Sequence, residues 1–323
     1  MICTLLIATA LIVSALFFHT QLKSSYNIKD LTIIEISKGD TDKKIFNKIA
    51  DLGLIKYPYM HLTTFKILKK IRPKYYFQSG EYNITSDDNY YSLINKLVKG
   101  SVYYRRFTVT EGQTTHEVIT ALENNPFFSG KINNIPKEGE ILPETYFFRK
   151  GTNRAKQLDI MKKNMELVLE EAWNLRSPDI PLKNKYELLI LASIVEKETG
   201  QAAERDRIAG VFMNRIRLRM KLQSDPTVIY TITNGKYKLE RPLSKRDLQK
   251  KSSFNTYTIP ALPIAPISNP GKEAIFATSR PMNTKELYFV ANGNGGHRFS
   301  KTLREHNKNV QKLRAYERQQ KAR

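Results

Sequence analysis

Residues 185–200, KYELLILASIVEKETG, are a run of strong helix formers ending on a glycine, and their pattern sets the reading of the chain. On a helical wheel Ile190, Leu191, Ile194 and Val195 form one apolar arc with Glu198 in its middle, while Glu196 points the other way, near Leu189 and Ala192. A carboxyl on an apolar arc is expensive to ionise unless paired, so its pKa rises toward the protonated state a general acid needs. The other reading is a glutamate facing solvent where the last turn frays before Gly200. The wheel leaves both open.

Downstream, a second helix is expected over 203–220, with Ile208, Val211, Phe212 and Ile216 inward and Glu204, Arg205, Asp206 and Arg207 as exposed pairs. LQSDPTVIY (222–230) reads as a polar turn around Pro226, and 243–250 as a weak basic helix. FNTYTIPALPIAPISNPG (254–271), broken by Pro260, Pro263, Pro266 and Pro270, is neither regular helix nor central strand. So long a loop lines a site or wraps a surface. LYFVAN and HRFS form a hairpin across GNGG, and a basic helix over 303–318 follows.

Upstream, 153–176 is helical, with Leu158, Met161, Met165 and Leu169 at helical spacing. The strand RRFTVTEG, a helix from 115 to just before 125 and the stretch LPETYFF precede a boundary near Gly151. Residues 31–102 read as a small α/β module: strand LTIIEIS, two helical stretches, strand FQSGEYNI and a helix over 87–99. Its tyrosines 75, 76, 82, 90 and 91 either stack on sugars or bases or sit half-buried at a core edge. Residues 2–18 carry no charge and are about the length of a bilayer core, which reads as an uncleaved anchor rather than a cleaved signal peptide. Lys23 and Lys29 follow it and no basic residue precedes it, so flanking charge does not set its orientation.

The chain has 323 residues, 41% of them hydrophobic, enough for two or three domains. Its 53 Lys and Arg against 31 Asp and Glu leave +22, which suits an anionic partner or reflects dispersed solvated lysines. The lone Cys3 excludes an intramolecular disulfide and lies too near the start for a lipoprotein signal. No phosphate loop, dinucleotide fingerprint, HExxH or GxSxG occurs, and Ser193 falls on a different helix face from Glu198. His297 and His306 lack carboxylate or Cys partners at metal-ligand spacing. What remains is one helix-borne carboxyl beside polar and aromatic loops, which suits glycoside cleavage. One acid suffices where the substrate supplies its own nucleophile.

At ASIVEKET, ERDRIAGVFMNRIRLRMKLQSDPTVIY, FNTYTIPALPIAPISNPG and LYFVANGNGGHRFSKTLREHNKNVQ the chain resembles the endolytic murein transglycosylase, or YceG-like, family. The resemblance is firm from about Tyr186 onward and looser before it. It implies a lytic transglycosylase that cuts the MurNAc–GlcNAc β-1,4 bond, leaves 1,6-anhydro ends and terminates nascent strands. The second Glu of EKET, Glu198, would be the catalytic acid/base, with Gln223, Ser224, Asp225, Tyr230, Asn255 and Tyr257 around the sugar groove. Asp225 before Pro226 reads equally as a turn former. The implied fold is α+β: an anchor (1–22), a LysM-like module (23–103), a connecting α/β segment (104–152) and a mixed helical/β catalytic domain (153–323). The expected location is the plasma (inner) membrane, single-pass, facing the wall. Glycan strands and peptidoglycan synthases are the implied partners, with no cofactor, no metal and no nucleic acid. The rival readings are a non-catalytic membrane-anchored wall-binding protein and, from charge alone, a nucleic-acid binder. Family members usually carry basic residues before the membrane segment, and Gly200 stands where a helix-compatible residue would fit. That glycine is expected to sharpen the helix end.

Overall fold

The computed structural model of the protein describes residues 9, 16, 19–20, 22–28, 30–72 and 74–321. The expected anchor lies almost wholly outside these residues, and no helix among the described ones is long and apolar enough to cross a membrane. The chain is mixed α/β and divides into two units, Met1–Arg106 with Phe147–Gly151, and Phe107–Tyr146 with Thr152–Arg323. Residues 107–146, expected within a connecting segment, thus belong to the second unit.

In the first unit, β1 (Thr32–Ile36) pairs antiparallel with β2 (Gly80–Ile84), with Thr32 opposite Ile84 and Ile36 opposite Gly80. Two helices, α1 (Asp42–Asp51) and α2 (Pro58–Ile71), lie between the strands in sequence, and α3 (Tyr90–Lys99) follows. Period-two burial on the strands and period-3.6 burial on the helices bring Ile34, Ile36, Ile45, Phe46, Phe65, Leu93 and Leu97 into one core. Tyr82 is fully buried and donates to the Gln78 carbonyl at 2.8 Å, so it is core, and Tyr75 and Tyr90 pack against the same core. Only Tyr76 and Tyr91 of the five tyrosines are exposed.

After α3 the chain runs through β3 (Arg105–Thr108), α4 (Thr115–Asn124), β4 (Phe128–Ser129), β5 (Thr145–Phe148) and β6 (Thr152–Asn153), with a short α9 (Lys245–Leu248) later. The second unit is organised around α6 (Lys185–Glu198), flanked by α5 (Arg154–Asn174), α7 (Arg205–Arg217) and α10 (Lys272–Ser279). Asn184 caps α6 by accepting from Glu187 N at 2.9 Å. Every residue from Leu188 through Val195 is buried, so the middle of α6 has no solvent face. Ser193 fastens the proline-rich loop to it: its hydroxyl accepts from Ile267 N at 3.0 Å while donating to Ile190 O at 2.7 Å. The loop is irregular as expected, because its polar backbone groups find partners on other elements. Asn269 N donates to Gln113 O at 2.8 Å, and Asn269 O accepts from Gly112 N at 2.9 Å.

Two local expectations change. The stretch around Pro226 is α8 (Asp225–Thr233), not a turn, because proline in the first turn lacks only an N–H that had no helical partner. That helix ends on Asn234 at φ 49°, a left-handed conformation asparagine tolerates. The helix expected from 203 starts with a 3₁₀ turn, Ala202–Glu204, and the eight-residue α10 lies in a stretch to which the sequence reading assigned no element. The hairpin β7 (Tyr288–Ala291) and β8 (His297–Ser300) is antiparallel, with Gly293 and Gly295 at φ +88° and +83° in the connecting turn.

Candidate active site

Glu198 is the last residue of α6 and lines a cleft of ≈ 480 Å³ with Arg215, Gln223, Asp225, Tyr257, Tyr288, Phe289, His297 and His306. Burial pushes its carboxyl up to about 7. The negative charge of Asp225 pushes the same way, whereas the Ser224 hydroxyl and the Arg215 guanidinium favour the charged form. Burial outweighs these, so the carboxyl is poised to hold its proton near neutral pH and still release it.

The opposite wall comes from the segment leading into α8. Gln223 adopts φ 49°, a left-handed conformation that costs a non-glycine residue about 1–2 kcal/mol. Surrounding hydrogen bonds hold it: Gln223 N donates to Thr256 O at 3.2 Å and Ser224 N to Thr256 Oγ1 at 2.9 Å. Thr227 and Thr256 share a 2.8 Å hydroxyl contact behind them. These bonds tie QSDP to NTYT, so two motifs far apart in sequence make one wall. Tyr257 donates its hydroxyl to Asp225 Oδ1 at 2.6 Å, orienting that carboxylate in the cleft.

Of the expected groove residues, Gln223, Asp225 and Tyr257 line the cleft with Glu198, and buried Ser224 acts on the Glu198 carboxyl. Tyr230 and Asn255 are placed elsewhere. Tyr230 donates to Glu138 Oε2 at 3.1 Å and packs on Phe254. Asn255 is fully buried and its side chain is spent on the loop: Nδ2 donates to Leu248 O and Lys250 O at 3.1 and 2.7 Å, and Oδ1 accepts from Tyr257 N at 2.9 Å. It shapes the backbone that presents Tyr257.

Arg215 was not singled out in the sequence. It is buried, donating from Nε to Leu287 O at 2.7 Å and from Nη1 to Leu222 O at 2.6 Å, with its guanidinium over the Tyr288 ring. The residues expected as exposed pairs on the α7 segment are also structural. Glu204 clamps the hairpin, accepting from His297 N at 2.9 Å and meeting His297 Nδ1 at 2.7 Å, and Arg207 pairs with Glu286. Arg205 is buried between Glu111 at 3.1 Å and Glu196 at 3.6 Å. Glu196 therefore does not point to solvent. It accepts from Gly271 N at 2.8 Å, and burial raises its pKa. A Cβ at 271 would stand 2.1 Å from Glu111 Oε1, so a larger residue there would have to push the Glu111 side chain aside.

Gly200 is not at positive φ, and a Cβ there would meet nothing within 4 Å. The helix instead ends at extended Thr199, whose hydroxyl accepts from Gln201 N at 3.0 Å. The glycine is therefore not the device that sharpens the helix end. Gly200→Ala is expected to keep kcat/KM within about twofold and raise stability by about 0.4–1 kcal/mol through the unfolded chain, checked by thermal melts and initial rates. A tenfold loss of activity would show that the site needs the freedom of glycine there.

Comparison with known proteins places these elements in context. The profile described as "YceG-like family" matches residues 34–312. The chain is 33% identical to the endolytic murein transglycosylase of Bacillus subtilis strain 168 over 270 residues, covering 73% of each protein. It is 24% identical to the endolytic murein transglycosylase of Streptococcus pneumoniae serotype 2, covering 88% of this chain and 58% of that longer protein. A crystal structure of a yceG-like protein from Listeria monocytogenes superposes with a TM-score of 0.54 at 25% identity, covering 87% of this chain and 99% of that one.

Proposed function

The chain belongs to the YceG-like family, and from that membership we infer that it is a peptidoglycan lytic transglycosylase. The observation that carries the reading is Glu198, a carboxyl raised to about 7 in a cleft walled by polar and aromatic side chains. In the proposed reaction protonated Glu198 gives its proton to the glycosidic oxygen between MurNAc and GlcNAc. The C1–O4 bond breaks, the muramic 6-hydroxyl bonds to C1, and its proton passes to Glu198. The acid is regenerated, no water is consumed, and the glycan ends as 1,6-anhydroMurNAc. Asp225, held by Tyr257, is the carboxylate that would stabilise positive charge developing at the sugar ring, and Tyr288 and Phe289 would offer faces for sugar rings.

A second reading rests on Asp225 as well. Two carboxyls in one cleft are also the equipment of a hydrolase, in which the second activates water or attacks the sugar. Mass spectrometry of products from purified sacculi across a pH series separates the possibilities. Anhydro ends are expected, with a rate that falls as pH rises through about 7, because the acid must carry its proton. Reducing ends would favour hydrolysis, and binding without either product would favour a non-catalytic wall-binding protein.

The finer placement is proposed on the same basis. The uncharged residues 2–18 support a single-pass anchor in the plasma membrane, with the enzyme facing the wall. The β1–α1–α2–β2 order of the first unit supports a LysM-like module that holds a glycan strand. Glycan synthases are the partners that a terminator of nascent strands would accompany.

A further inference from the structure

Helix α2 carries two apolar faces. His61, Leu62 and Phe65 are buried in the first unit's core. At about 100° per residue, Tyr57, Met60, Thr64, Ile67, Leu68 and Ile71 fall on a separate arc of about 100°. All six are exposed, with Ile67 56% and Ile71 71% accessible. Isolated exposed apolar residues are ordinary, but a continuous stripe along four turns is not. With nothing to cover it, the stripe is a standing cost to solubility.

The charges around the stripe identify what covers it. Residues 56–74, KYPYMHLTTFKILKKIRPK, contain six basic residues and no acidic one. Lys69 pairs with Asp42 on α1 at 3.1 Å, whereas Lys66 and Lys70 make no ion pair among the described residues. Tyr57 and Tyr59, both exposed, stand at the start of the helix. At the same step per residue Lys66 falls on the far side of the helix, whereas Lys70 borders the stripe beside Ile67. An apolar stripe with a bordering lysine and tyrosines at the end is the composition of a helix lying in the headgroup region of an anionic bilayer. A water-soluble glycan would have no use for Ile67 and Ile71.

We propose that α2 docks on the anionic membrane surface through Met60, Ile67, Leu68 and Ile71, with Lys70 toward the lipid phosphates. The proposal rests on the anchor reading, which places this module beside a bilayer. Docking through α2 pins the first unit to the membrane at a second point.

The test uses the full chain in a Cys3→Ser background with Ile67→Cys carrying an environment-sensitive fluorophore. It is reconstituted into phosphatidylcholine vesicles with and without phosphatidylglycerol and with headgroup-level nitroxide lipid as quencher. With phosphatidylglycerol present, the Ile67 probe is expected to shift to the blue and be quenched. Adding Lys70→Gln or Lys70→Glu is expected to lower the shielded fraction, the charge reversal by at least about fivefold. A chain that fails to float with the vesicles removes the anchor reading itself. A chain that floats while the Ile67 probe stays aqueous overturns the docking proposal. So does shielding that the lysine substitutions leave unchanged, or that appears only when the protein is crowded enough to self-associate or a second protein is added.

Discussion

Glu198→Gln is expected to lower release of anhydromuropeptides from sacculi by about 10²–10⁴-fold, the usual range for removing a general acid, while the protein stays folded and still binds sacculi. Gln keeps the size of the side chain, so the cleft is preserved and only the transferable proton is lost. The same substitution has a signature in stability. The Glu198 pKa rises from 4.5 to about 7 on folding, so below about pH 4.5 the folded and unfolded chains both hold the proton and the group has no effect. Between about 4.5 and 7 the unfolded chain releases the proton first, and stability falls as pH rises. Above 7 the loss is complete. Gln carries no such proton, so the variant's melting temperature should gain on the parent's across that window. Loss of activity with no such gain would mean that the carboxyl is not raised by burial, and full activity would remove Glu198 from the mechanism. Glu196→Gln is not a neutral control for this experiment, because Glu196 is bonded to Gly271 N and paired with Arg205. A loss of stability in that variant would report those contacts and not the chemistry.

The legible and illegible parts of the chain differ by the range of the forces that shape them. Helix α6 was readable because its apolar residues and its glycine lie within one short window, and α1, α3 and α5 were readable for the same reason. The fate of charged side chains was not, because their partners are distant in sequence. Arg207 finds Glu286, Glu204 finds His297, and Arg205 finds Glu111. A local pattern shows these residues as ordinary surface charge, and only the fold brings the partners together. Glu196 shows the same limit within α6: the wheel sets it near Leu189 and Ala192, and only the fold supplies the Arg205 side chain and the Gly271 N–H that meet its charge. The catalytic assignment came from the family resemblance converging with the wheel. That resemblance also carried Asn255 and Tyr230 into the groove, where the structure gives them supporting places behind it.

Arg215 is where stability and chemistry meet, and its replacement should change both. Its guanidinium satisfies Leu222 O, immediately before Gln223, and Leu287 O, at the entry to β7, so one side chain holds two walls of the cleft. Arg215→Gln leaves those carbonyls without a charged donor, which at about 1.5–3 kcal/mol per lost bond to a charged group should lower stability by about 3 kcal/mol or more. For a unit of this size that is a fall in Tm of about 6–12 °C. The electrostatic consequence has a definite sign. The cation favours ionised Glu198, so its removal raises the Glu198 pKa further, and the alkaline limb of the pH–rate profile should move upward from about 7. Arg215→Lys separates the two effects: the charge remains, so the limb should stay near its original pH, while the forked contact to both carbonyls is lost and Tm still falls. If the limb stays fixed in both variants, Arg215 serves only as a brace. If it moves in Arg215→Gln alone, the same guanidinium that holds the cleft walls also sets the pH at which Glu198 can donate its proton.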